Sequence, residues 1–155
     1  MLELKPNLRG SLTHQVKATD LATNWRNDVP VLATPILLWL TELACMRAIE
    51  GTLSDGQMTV GLSHDTSHLA PTPSGWNIHI GARLEAIENR KLIFSVEGQD
   101  GQETILRGKH VRAIVDRERF LAGVEAKAKG PNANKIPTPQ NGILTASANN
   151  TGAPS

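Results

Sequence analysis

The sequence is poor in cysteine, in net charge and in long apolar runs, and each shortage excludes a class of protein. Its 155 residues include one cysteine, Cys45, so an internal disulfide is excluded and a reducing compartment is expected. The formal net charge of +1 argues against a nucleic-acid-binding protein that relies on a strongly basic surface. A local basic patch that meets a phosphorylated ligand remains compatible with this balance.

The longest apolar run, from about Ile36 to Met46, falls short of the ~20 residues that a membrane-spanning helix needs, and it contains Glu42. The first ten residues, MLELKPNLRG, are too polar for a secretion signal. We therefore expect a cytoplasmic protein.

The length is that of one domain, and the composition changes near its end. Residues 129–155 are rich in Pro, Gly, Asn, Ser and Ala and show no period, which predicts a disordered tail. The folded domain is expected over residues 8–128, and we find no internal repeat.

One long helix is predicted in ATPILLWLTELACMRAIE, residues 33–50. Thr34 is a good N-cap, Pro35 suits the first helical position, and Gly51 is a natural stop. Apolar side chains surround almost the whole circumference, which predicts burial on most sides.

Alternation of apolar and polar residues predicts one strand before this helix and four after it. The first lies near Leu12–Ala18, and the others lie in GQMTVGLSHDTSHLA, WNIHIGARLEAI, KLIFSVEG and ETILRGKHVRAIVD, with a hairpin turn at QDGQ and a short amphipathic helix in DRERFLAGVEAKA. This order indicates an α+β protein. A curved antiparallel sheet wrapped around one long central helix, the hot-dog fold, is compatible with it.

Glu42 is unusual because an unpaired carboxylate in an apolar environment costs several kcal/mol or more. Eight residues separate it from Thr34, which places the two ~80° apart around the helix and ~12 Å apart along its axis. A site that uses both needs a bridging group, such as a histidine, a substrate or a residue of a second subunit. Alternatively, Thr34 only caps the helix and Glu42 pairs structurally with a basic group.

Two histidines follow on one predicted strand. His64 and His68 lie ~13 Å apart at ~3.3 Å per residue, too far for a shared metal ion, so no metal site is predicted. His68 ends the strand before a loop, which fits either a functional side chain or an ordinary polar strand end. Cys45, inside the apolar run, is better explained as a buried structural thiol than as a nucleophile.

Three segments together resemble the fluoroacetyl-coenzyme A thioesterase family of hot-dog proteins. They are VLATPILLWLTELACMRAI, QMTVGLSHDTSHLAPTPSG and RGKHVRAIVDRERFLAGVEAK, and the similarity covers most of residues 10–127. The resemblance implies hydrolysis of a short-chain acyl-CoA without a cofactor, CoA being part of the substrate. The implied catalytic residues are Thr34, Glu42 and His68, and the implied substrate-binding residues are Gly61, through its backbone N–H, and Arg112 in the His110-x-Arg112 motif.

The chemistry of these residues suits thioester hydrolysis. His68 can act as general base and acid, Glu42 can orient it, attack the carbonyl or activate water, and Thr34 can position water or act as nucleophile. Hot-dog proteins generally build their sites between subunits, so at least a homodimer is expected. Candidate partners for the CoA phosphates are Arg107, Lys109, Arg112, Arg117 and Arg119.

The chain departs from the family in the lid segment before the ATP motif. Members specific for fluoroacetyl-CoA carry phenylalanines there, whereas TNWRNDVPVL has Trp25 as its only aromatic residue, and the first phenylalanine is Phe94. This departure predicts a different, broader acyl-CoA substrate. A non-catalytic acyl-CoA-binding or sensing protein is the main alternative, while a hydratase is disfavoured because the helix has no histidine.

Overall fold

The computed structural model describes residues 1–131 and contains a five-stranded antiparallel sheet and two α-helices. The elements are β1 Arg9–Gln15, α1 Thr34–Ala48, β2 Gln57–His68, β3 Asn77–Glu88, β4 Lys91–Gln99, β5 Thr104–Asp116 and α2 Arg117–Ala128, with 3-10 helices at Ala18–Asp20 and Ala22–Trp25. Residues Met1–Phe120 form one compact unit, and a second unit begins at Leu121. The predicted tail lies, apart from its start, outside the described residues.

The strand order in the sheet is β1-β3-β4-β5-β2, and every neighbouring pair is antiparallel. All five strands predicted from alternation are present, and so is the turn between β4 and β5. In that turn the Asp100 carboxylate accepts the backbone N–H groups of Gln102 and Glu103, while Gly101 takes a positive φ of 89°. This order leaves β2 as a long edge strand.

Helix α1 packs mainly on β1 and β3 through one buried stripe. Its buried members are Leu37, Leu40, Thr41, Ala44, Cys45 and Ala48. The opposite side carries Trp39 and Met46, which are 51% and 44% exposed. The prediction that α1 is buried on most sides is therefore wrong for this single chain, because the sheet covers only one side of the helix. No helix among the described residues is long and apolar enough to span a bilayer.

The start of α1 differs from the prediction by one residue. Ala33 is the N-cap, Thr34 is the first helical residue, and no side chain caps the helix. The Thr34 hydroxyl is thereby free to bond elsewhere. The helix ends at Ala48, and Gly51, with φ of 74°, lies in the following turn.

Two loops interlock next to the helix start. The buried Thr72 donates its hydroxyl to Asp100 Oδ2 at 3.2 Å, and its carbonyl accepts the Leu32 N–H at 2.9 Å. The segment before α1 is thus tied to the loop after β2. These ties place Thr34, at the start of α1, beside His68, at the end of β2.

Gly10 marks the closest approach of β1 to α1. A Cβ atom at this position would overlap the backbone of Ala44 and Ala48, which cannot move aside as a flexible side chain would. Gly81 faces Ser11 in the neighbouring strand, and a Cβ atom there would meet no atom within 4 Å.

We expect Gly10→Ala to lower the free energy of unfolding by about 1–3 kcal/mol, because the added methyl group forces the strand away from the helix. Gly81→Ala, the matched control, should change it by no more than about 0.5 kcal/mol. Urea denaturation of both variants measures the difference. Equal effects would contradict a close strand–helix contact at Gly10.

Candidate active site

The first group of polar side chains joins the start of α1 to the end of β2. Thr34 Oγ1 lies 2.8 Å from His68 Nδ1. Burial lowers the pKa of His68, and a smaller effect of the Ala70 backbone opposes it, so the imidazole is neutral at pH 7 and able to accept a proton. The other ring nitrogen, Nε2, is buried and has no hydrogen-bond partner among residues 1–131. A hydroxyl beside a neutral imidazole is a typical nucleophile–base arrangement.

The second group surrounds the carboxylate of Glu42. His64 Nε2 donates to Oε1 at 3.1 Å, and Arg112 Nη1 donates to Oε2 at 3.2 Å. Partial burial raises the pKa of Glu42, but the hydrogen bonds from His64 and Arg112 outweigh burial and hold the pKa below its usual value. The carboxylate is therefore ionised at neutral pH.

Arg112 is 3% exposed, and its guanidinium is bonded within the protein. Besides Glu42, it donates to His110 Nε2 at 3.2 Å, to Thr59 Oγ1 at 2.9 Å and to the Thr59 carbonyl at 3.1 Å. One of these four contacts is with the candidate catalytic carboxylate, that of Glu42. Its binding of substrate stays a prediction.

His110 supports both donors to Glu42. It is fully buried, its Nδ1 donates to the Ser63 carbonyl at 2.9 Å, and its ring stacks on that of His64 with centroids 4.0 Å apart. Burial, aided by the neighbouring His64, lowers the pKa of His110 to about 4. At pH 7 His110 is thus neutral, with Nε2 free to accept the Arg112 hydrogen bond.

A β-bulge in β2 brings this group together. The register against β5 shifts between Gly61 and Ser63, so that Leu62 is an extra residue and is 53% exposed. In an unbroken strand, Gly61 and His64 would face opposite sides; with the bulge, both face Glu42. A Cβ atom on Gly61 would lie 2.9 Å from Glu42 Oε1, so glycine leaves room for the carboxylate. The role of its N–H in thioester binding stays a prediction.

The three predicted catalytic residues therefore lie in two groups. Thr34 and His68 are hydrogen-bonded to each other, whereas within the described residues no hydrogen bond joins Glu42 to either of them. The spacing of the two histidines bears only on a metal pair for His64 and does not predict its contact with Glu42. The available signal was Gly61, since an isolated glycine within a strand pattern often marks a bulge.

Within residues 1–131, Glu42, His64 and His110 also form a group that could hold a metal ion, with donor atoms all within 4.8 Å of one another. However, the Arg112 guanidinium already donates to Glu42 and His110. A divalent cation would meet this fixed positive charge at close range. The group has the chemistry of an ion-pair network rather than that of a metal centre.

Cys45 takes no part in this chemistry. Burial raises the pKa of Cys45 to about 12, which keeps it a thiol rather than a nucleophilic thiolate.

A cavity of about 670 Å³ opens on the other face of the sheet, away from these two groups, and is lined in part by Arg9, Arg83 and Arg107. Arg83 pairs there with Glu85 and Arg107 with Glu97, so the charge of both arginines is compensated.

A family model and a characterised protein that are similar to this chain in sequence both point to fluoroacetyl-CoA thioesterases. The model of the family of fluoroacetyl-CoA-specific thioesterases matches residues 16–118. The fluoroacetyl-CoA thioesterase of Streptantibioticus cattleyicolor is 36% identical over 97 residues, which are 63% of this chain and 70% of that protein.

Solved structures agree. A fluoroacetyl-CoA thioesterase is 29% identical, with a TM-score of 0.74 over 83% of this chain and 98% of that chain. A variant solved in complex with acetyl-CoA is 28% identical, with a TM-score of 0.75 over 80% and 98%. A hot-dog-like protein from Thermanaerovibrio acidaminovorans, 18% identical, gives 0.75 over 81% and 93%. The predicted hot-dog fold is confirmed.

The buried His110 predicts a pH-dependent stability. Its pKa is lower in the folded chain than in the unfolded chain, so the unfolded state binds more protons as the pH falls from 6.5 towards 4, and stability is lost over that window. The lowered pKa of His68 acts in the same direction. His110→Asn keeps a donor to the Ser63 carbonyl but does not titrate.

We therefore expect the stability of His110→Asn, measured by urea denaturation at a series of pH values, to fall less steeply than that of the unsubstituted protein between pH 6.5 and 4. His64, Glu42 and Arg112 face this position in both proteins. His79→Asn, on an exposed strand position, is the matched control and should follow the unsubstituted slope. Parallel slopes for all three proteins would show that His110 is not the group responsible.

Proposed function

The chain belongs to the family of fluoroacetyl-CoA-specific thioesterases, and we propose that it hydrolyses a short-chain acyl-CoA thioester to the free acid and coenzyme A. A relative in this family has been solved with acetyl-CoA, which supports a small acyl group. The observation that carries the proposal is the 2.8 Å contact between the Thr34 hydroxyl and the neutral imidazole of His68, because it pairs a hydroxyl with a base.

In the proposed reaction water adds to the thioester carbon, the C–S bond breaks, and the CoA thiolate takes a proton. His68 accepts the proton of the attacking group and returns one to the leaving sulfur. Thr34 stands at the N-terminus of α1, where the helix dipole favours the developing oxyanion. Either Thr34 positions this water, or it attacks first and displaces the CoA thiolate, and water then hydrolyses the resulting Thr34 ester to the free acid.

Glu42 supplies the ionised carboxylate of the proposed site. Its two hydrogen bonds hold the charged form, so it can activate water, or attack the carbonyl carbon directly to form an anhydride that water then hydrolyses to the free acid. These residues provide a base, a hydroxyl and a carboxylate without further groups. We therefore propose that no cofactor takes part, CoA entering only as part of the substrate.

We propose that the acyl group differs from fluoroacetyl. The lid segment contains the 3-10 helix Ala22–Trp25, and Trp25 is 55% exposed. Short pairings of Leu21 with Leu32 and of Val31 with Pro73 tie this segment beside the helix start. An indole here replaces the phenylalanines that the resemblance associates with fluoroacetyl-CoA, and so changes the shape of the entrance.

For the compartment we propose the cytoplasm, which suits the single free, buried Cys45.

We further propose that the working protein is a homodimer and that its site spans two subunits. Edge strands such as β2 are open to pairing with another chain. The nearby exposed apolar side chains are Trp39, Met46, Leu62 and Leu69. Thr34 and the partly exposed Glu42 share this uncovered side of α1. A second copy laid against it would cover the apolar side chains and close a cleft over both polar groups.

A non-catalytic acyl-CoA-binding protein is the second candidate. It is favoured by the separation of Glu42 from the Thr34–His68 pair, since a carboxylate bonded on both oxygens is also what a structural ion pair requires. Turnover distinguishes the two.

Release of free thiol from a panel of acyl-CoA esters, including fluoroacetyl-CoA, tests the activity. We expect turnover of short esters, and Thr34→Ala, Glu42→Gln and His68→Ala should each lower kcat by about 10²–10⁴-fold because each removes a reacting group. His79→Ala, on an exposed strand position, serves as the control. Measurable binding of acyl-CoA without turnover of any ester would favour the binding protein instead.

Complementation tests the shared site. If Glu42 and His68 of one site come from different subunits, mixing Glu42→Gln with His68→Ala and exchanging subunits should restore about a quarter of the normal activity, since half the dimers are mixed and each has one intact site. Sedimentation of the unsubstituted protein should give a dimer. An active monomer, or mixtures as inactive as their components, would contradict the shared site.

A further inference from the structure

His64 contacts the proposed catalytic carboxylate, yet no bond made or broken in the proposed reaction involves it. Its Nε2 lies 3.1 Å from Glu42 Oε1, and an ionised carboxylate only accepts hydrogen bonds, so Nε2 carries the proton. The His64 side chain is 24% exposed and approaches Glu42 from the bulged strand β2.

Arg112 alone does not fix the orientation of the carboxylate. It reaches only Oε2, through a single nitrogen that also donates to His110. The last torsion of a glutamate side chain is broad and nearly two-fold, so one contact leaves the carboxylate plane free to turn. A second donor on the other oxygen removes that freedom.

His64 is itself held in place. Its ring stacks on His110 at 4.0 Å and 23°, and His110 is fixed by Ser63 on one nitrogen and by Arg112 on the other. Rotation of the His64 ring would break this stack. Donor position and ring plane are thus set by the same buried neighbour that orients Arg112.

We propose that His64 is a positioning residue for hydrolysis: together with Arg112, it fixes both oxygens of Glu42 and so aims the carboxylate at the reacting carbon or its water. The inference rests on the proposed function. Reacting groups must be held within a fraction of an ångström of their productive geometry, and a displacement of about 1 Å can cost about 100-fold in rate.

Two amides test this proposal because they differ in reach. In His64→Gln the side-chain nitrogen falls near the position of Nε2, whereas in His64→Asn it falls near Nδ1 and is too short for Glu42. We expect Gln to keep kcat within about 3-fold and Asn to lower it by about 10–100-fold, with KM within about 3-fold in both. His64→Thr, which suits a strand better than Asn, should match Asn. His79→Asn is the control.

A second measurement does not depend on turnover. Carboxyl NMR of the intact protein, with the Glu42 signal identified by its loss in Glu42→Gln, follows the titration of this group. Because the hydrogen bond from His64 holds the pKa of Glu42 down, the titration of Glu42 should move to higher pH in His64→Asn and His64→Thr but not in His64→Gln. His110 and Arg112, which also face Glu42, are unchanged in all three variants.

The outcomes separate the two proposals. Absence of turnover in the unsubstituted protein overturns the proposed function, and the titration then still reports whether His64 holds Glu42. The positioning role is overturned if folded Asn and Thr variants keep kcat within about 3-fold, or if folded Gln loses as much as they do. Thermal unfolding establishes which variants are folded. If His64→Asn does not fold, the comparison of His64→Gln with His64→Thr tests the proposal.

Discussion

An ionised carboxylate in the middle of a largely apolar helix must be paired, and the pairing of Glu42 organises much of this protein. One oxygen meets Arg112 and the other meets His64. The arginine is buried in turn, so its remaining donors require acceptors, and Thr59 and His110 supply them. Each partner creates the need for the next, and the chain of bonds ends at the backbone of Ser63.

The geometry of strand β2 follows from the same requirement. Gly61 is free of a side chain where the Glu42 carboxylate lies over the strand, and His64 must point to the same side three residues later. A regular strand cannot satisfy both conditions, because its side chains alternate. The bulge at Leu62 satisfies them by shifting the phase of the strand once, and it leaves an apolar side chain exposed at the edge.

These features explain how far the sequence could be interpreted. Strand β4 was predictable because its inward residues alternate without a break, and β3 because its apolar inward residues alternate from Ile78 to Leu84, before its own register shift. The same rule fails in β2, where the inward residues are polar and the phase changes, so alternation alone does not predict the His64–Glu42 contact. Thr34 had the residue type of a helix cap, but its hydroxyl bonds His68 and Ala33 is the N-cap. Local preference loses there to a contact 34 residues away.

Histidine has a specific advantage over other donors at position 64. A lysine or arginine would bring a second permanent cation to a carboxylate that Arg112 already neutralises, and the stronger attraction would make the carboxylate a weaker nucleophile and base. An imidazole donates one hydrogen bond from a fixed, planar ring without a permanent charge. Its stacking on His110 also limits its rotation, which a long flexible side chain would retain. The cluster can thus be rigid without cancelling the basicity of the carboxylate that it holds.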